Sequence, residues 1–148
     1  MTMQEAVQAR TPVHVWIVGV LATLWNAFGC YDYIMTQTNN EAHLSQFSAE
    51  ERAFFESFPA WTEAFWALGV WSALIGSLLL IARSRYAVHA YGVSLVGMVV
   101  GMAYQRFGME VPESLTTGVM AIMPWVIFAI GIALFVYARN QAAKGVLR

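Results

Sequence analysis

The densest group of chemically capable side chains lies in LWNAFGCYDYIMTQT, residues Leu24 to Thr38. It holds Asn26, Asp32, Tyr33, Thr36 and Gln37 inside a run that is otherwise apolar. Amide, carboxylate and phenol groups at such positions can hydrogen-bond a neighbouring helix or contact a solute. They do not form a nucleophile with its base. No CxxC, HExxH, P-loop or GxSxG stretch occurs, and no paired helical histidines suit haem. His14, His43 and His89 fall in three separated regions, so no joint metal site is expected. The lone Cys30 excludes an intramolecular disulfide and any multi-cysteine metal site. The expectation is no catalytic residue, no metal and no cofactor.

What must position these groups is set by composition. Hydrophobic residues make up 59% of the 148 and charged residues 11%, against about 25% charged in soluble domains. This composition predicts a chain that lives in lipid. Net charge is −1, which gives nucleic acid no electrostatic hold. Four apolar stretches follow, with spans expected at about residues 13–36, 61–82, 86–107 and 116–138 of a single membrane domain. Each approaches the roughly 20 residues needed to cross about 30 Å of hydrocarbon. Backbone groups in lipid must be satisfied within the segment, so the expected fold is an all-α, four-helix membrane bundle. The tail MTMQEAVQAR is a poor signal-peptide start, and no A-x-A site follows, so the first span should be retained.

Cationic residues set the expected orientation. Arg10, Arg83, Arg85, Arg139, Lys144 and Arg148 fall on one side, Arg52 and Arg106 on the other. The positive-inside rule puts both termini in the cytoplasm, with a bacterial inner membrane as the expected location. In the long first outer loop, Ser48 precedes Glu51 by three residues, the spacing of a capping box. A short amphipathic helix should follow and stop before Pro59. It either lies on the membrane surface or bundle, or covers an outward-facing cavity.

Small side chains mark the expected helix contacts. They are Gly69, Ala73 and Gly76 on the second span, and Ala90, Ser94, Gly97 and Gly101 on the third. Gly97 and Gly101 form a GxxxG, which suits either packing within the chain or a homodimer. Pro124 removes one amide from the fourth span, and a kink is expected there. At about 100° per residue, Gly19, Asn26, Cys30, Tyr33 and Gln37 share one side of the first span, which should look inward. Asp32 lies about 120° around from Asn26, and its expected partner is Arg106, with Glu63 as competitor. The candidate solute contacts are thus Trp25, Asn26, Asp32, Tyr33, Glu63, Trp66 and Arg106. The tryptophans could stack a sugar or belong to the bundle core and interface belt.

Trp25-Asn26-x-x-Gly29-x-x-Asp32-Tyr33-x-Met35-Thr36-Gln37-Thr38 resembles the signature of a family of small four-span bacterial membrane proteins. FPAW at Phe58 to Trp61, LLL at Leu78 to Leu80, RSR at Arg83 to Arg85 and the GVLR of Gly145 to Arg148 are similar too. Members often carry the automatic label "sugar transporter". The resemblance implies the four-span layout and a small-solute role, and supplies no binding residues. A looser likeness is to DoxX-like four-span proteins. Three roles remain in view: an oligomeric binder or transporter of a small, sugar-like solute; a non-catalytic subunit of a larger membrane complex; and an enzyme on a lipid or quinone.

Overall fold

A computed structural model describes residues 10–148. Residues 1–9, part of the tail weighed as a signal peptide, lie outside the described residues. The described chain is all-helical: α1 Val13–Gln37, α2 Glu41–Leu44, α3 Ala49–Glu56, α4 Ala60–Ile81, α5 Tyr86–Gly108 and α6 Gly118–Ala143, with one 3-10 turn at Glu113–Leu115. Four of them (α1, α4, α5 and α6) are long and apolar enough to cross a membrane. Their length and composition make this a multi-pass membrane architecture. Large apolar side chains such as Leu24, Phe28, Ile75, Val96 and Ile122 are exposed along these helices, as a lipid-facing surface requires.

The helices pack in chain order: α1 on α4, α4 on α5, α5 on α6. The α4–α5 seam is the closest. A Cβ on Gly97 would fall 2.7 Å from the Phe65 carbonyl oxygen and 2.9 Å from the Gly69 amide nitrogen. A Cβ on Gly76 would meet the Tyr91 ring at 3.0 Å. Ala73 and Ser94 are buried, and Ala90 is half-buried. Gly97 is therefore packed on its own chain's Gly69.

Gly101 departs from the expected packing stripe. Nothing lies within 4 Å of a Cβ placed there. One turn beyond Gly97 the contact between the two helices passes to the Trp61 and Tyr104 rings, edge-on with centroids 4.8 Å apart. Pro124 lies inside α6, which continues through it to Ala143.

Three helix ends share one device. After α1, α4 and α6 the chain turns through a positive φ at Asn39 (51°), Arg83 (58°) and Gly145 (73°). Each time the next amide reaches back five residues: Asn40 to Met35, Ser84 to Leu79, Val146 to Gln141. This is the Schellman arrangement, which satisfies the last helical carbonyls. At Arg83 the left-handed backbone costs roughly 1 kcal/mol for a residue with a Cβ. Compensation comes from its neighbours. Its Nη1 donates to Thr11 at 2.7 Å, its carbonyl accepts from the Arg148 amide at 2.8 Å, and the Arg85 amide donates to the Arg148 carbonyl at 2.9 Å. The RSR turn is thus paired with GVLR. Leu147 is buried alongside, in a core with Ala22, Leu80, Ala87, Tyr91, Leu134 and Ala138. All four long helices close at this end.

Two glycine substitutions separate the packing roles. Gly97→Leu should lower stability by about 1–3 kcal/mol, because backbones must part. Gly101→Ala should be nearly neutral. Thermal unfolding of each purified variant in detergent checks this, and equal losses would refute the seam as described.

Candidate functional site

At the end away from Arg148, α2 and α3 fold over the helix tops and roof a cavity of about 210 Å³. From α1 and its turn come Thr36, Gln37 and Asn39; from α4 come Glu63 and Trp66. The roof supplies Leu44, Arg52, Phe55, Glu56 and Phe58. A smaller recess of about 40 Å³ shares Phe58, Glu63 and Trp66 with it, and is completed by Thr62, Gly101 and Tyr104. The space left by Gly101 therefore belongs to this recess.

Local rules explain how the roof is built. The Asn40 side chain caps α2 by accepting from the His43 amide at 3.0 Å. The cap orients His43, whose Nε2 meets Asp32 Oδ1 at 2.8 Å with the imidazole side chain only 10% exposed. Arg52 Nε donates to the Leu44 carbonyl at 2.9 Å, and its Nη1 pairs with Glu41 at 3.3 Å, so α3 is tied back to α2. The capping box at the start of α3 is complete. Glu51 accepts from the Ser48 amide at 2.9 Å, and the Ser48 hydroxyl accepts from the Glu51 amide at 3.2 Å. The Ser48 amide, and after it the Ser114 hydroxyl, hold the Glu51 carboxyl below the usual carboxylate range. Below, Phe54, Phe55 and Phe58 contact one another, and Phe47 stacks edge-on to Phe55 at 5.2 Å.

The sequence candidates divide three ways. Glu63 and Trp66 line the cavity, and Tyr33 braces it: its ring stands edge-on to Trp66 at 5.0 Å. Asp32 anchors the roof through His43, which corrects the expected pairing with Arg106. The physical reason is topological. The Asn39 turn folds α2 back over α1, while α4 stands between α1 and α5. Arg106 and Gln105 are exposed on α5, and Arg106 has no ion-pair partner among the described residues. Trp25 is exposed and absent from the lining.

Asn26 lies deeper and clamps helices. Its Nδ2 donates to Ser77 Oγ at 2.8 Å and to the Ala73 carbonyl at 3.3 Å. Ser77 Oγ also donates to the Ala73 carbonyl at 2.9 Å, which leaves the Tyr91 hydroxyl, 2.9 Å away, to donate to Ser77. That uses the one donor and both acceptor positions of the serine. Cys30 Sγ points at the Val70 carbonyl at 3.3 Å.

Arg52, Phe55, Glu56 and Gln37 complete the cavity without having been singled out as solute contacts. The cue available was the capping box, which fixes where α3 starts and hence which of its residues face down. No group of three or more metal-ligating side chains occurs among the described residues. Comparison with family models, with curated proteins and with solved structures gave no match.

Asn26→Leu should cost about 0.6–1.7 kcal/mol in thermal stability, the range for interhelical hydrogen bonds in lipid. Glu51 adds a pH effect. Its carboxyl is held below its unfolded value, so its contribution is present at neutral pH and lost as pH falls through that lowered pKa. Glu51→Gln should therefore lose less stability than the parent between pH 7 and about pH 3, read by thermal unfolding at the two pH values.

Proposed function

We propose that this chain is a bacterial inner-membrane protein that binds a small polar solute in the roofed cavity. The carrying observation is the cavity itself: aromatic side chains, amides, carboxylates and a guanidinium from three parts of the chain line one partly open volume. Such a volume is of useful size, since a protein cavity of about 150 Å³ already accepts benzene. The cationic bias of Arg83, Arg85, Arg139, Lys144 and Arg148 supports cytoplasmic termini, and with them a cavity open to the outer side. The sequence resemblance makes a sugar-like solute the first to try. Transport would require more than one copy, because alternating access generally uses two repeats moving about a midplane site.

A second reading, a non-catalytic subunit of a larger membrane complex, has one observation in its favour. The first half of α6 has no buried residue before Leu134, and Val119, Ile122 and Trp125 stand exposed. A partner helix fits that face as well as lipid does.

Purified protein should bind solute by itself in calorimetric titration with a panel of monosaccharides and small polar metabolites. Trp66→Leu should weaken that binding roughly three- to tenfold, the worth of an aromatic contact, and Trp25→Leu should not. Equal behaviour of the two variants refutes the cavity as the site. Gentle extraction in which a larger complex is required for stability would favour the subunit reading.

A further inference from the structure

The charges that line the cavity are unbalanced. Glu56 and Glu63 contribute two carboxylates, and Arg52 is the one cation in the lining. Its guanidinium is already engaged with the Leu44 carbonyl and with Glu41, a carboxylate outside the lining. Neither Glu56 nor Glu63 has an ion-pair partner among the described residues. Glu63 is half-buried, in the wall common to the cavity and its recess, and shares both linings with Phe58 and Trp66. Glu56 is exposed at the cavity rim, and a carboxylate facing the cavity without a counter-charge attracts an arriving cation. The aromatic rings act in the same direction. Trp66, Phe55 and Phe58 line the same space, and aromatic faces attract cations, tryptophan most strongly. An anion would meet two carboxylates, and a neutral polyol would leave both charges uncompensated.

We infer that the cavity selects a small organic cation, an ammonium or quaternary ammonium group held by Glu63 against Trp66. This deepens the solute-binding reading and rests on it. Phe58 and Phe55 close the apolar sides, and Gln37 and Thr36 remain for a hydroxyl or amide on the same solute.

The test is calorimetric titration of the full chain in detergent with three probes. They are choline, its neutral carbon isostere with tert-butyl in place of trimethylammonium, and glucose. Choline should bind at least roughly tenfold more tightly than the isostere, as expected for a charged contact. Glu63→Gln should abolish that difference. Glu56→Gln should reduce it, and Glu50→Gln, exposed and outside the lining, should leave it intact. Thermal unfolding confirms that each variant is folded; should Glu63→Gln not fold, the choline-to-isostere ratio of the parent and of Glu56→Gln decides. Equal affinity for choline and isostere, or binding of glucose alone, overturns the cation proposal and leaves the solute reading standing. Failure of all three probes while a member of the metabolite panel binds overturns the cation proposal alone, and failure of the whole panel as well overturns both.

Discussion

The backbone contact between α4 and α5 at Gly69 and Gly97 fixes everything around it. Hydrophobicity gives helices no reason to meet in lipid, since acyl chains are as apolar as leucine. Close approach does, through dispersion and short polar contacts. Here the Ser94 hydroxyl donates to the Gly69 carbonyl at 2.7 Å, across a seam with no room for a side chain. On one side of this point Tyr91 fills the gap against Gly76 and reaches Ser77, which receives Asn26 from α1. On the other, the Trp61 and Tyr104 rings meet edge-on and Gly101 faces open space. The same contact thus tightens the bundle toward Arg148 and lets it open toward the roofed cavity.

That asymmetry divides labour among the polar groups. Asn26, Ser77, Tyr91 and Ser94 spend their hydrogen bonds on helix contacts, each worth well under 2 kcal/mol. Around the cavity the accounting differs. Asp32 and Arg52 are consumed in holding α2 and α3, whereas Glu56 and Glu63 have no ion-pair partner among the described residues. Chemistry becomes available only where the structure has left groups unsatisfied.

The sequence made some of this legible and hid the rest for identifiable reasons. Apolar length alone reveals the four long helices, because lipid thickness sets it. The inward stripe of α1 is readable too, since helical periodicity places Asn26, Cys30 and Tyr33 together. The partner of Asp32 was not readable. It depends on Asn39 adopting a positive φ and on a four-residue helix that no periodicity announces. Gly101 continues the stripe of small residues yet faces open space, because such a stripe predicts contact only where a neighbouring backbone is close. Arg52, Phe55 and Glu56 carry no site signature in the sequence because their convergence with Glu63 and Trp66 is tertiary.

The pairing of RSR with GVLR bears on the order of biogenesis. Arg83 and Arg85 leave the ribosome some sixty residues before Arg148, the residue that hydrogen-bonds to both. The hairpin of α4 and α5 can insert early, yet the strained turn at its tip stays without its strap until translation has passed Arg148. Assembly of this end is then a long-range closure, in which Leu147 joins a core with Ala22, Leu80 and Tyr91 that the long helices have begun to form without it.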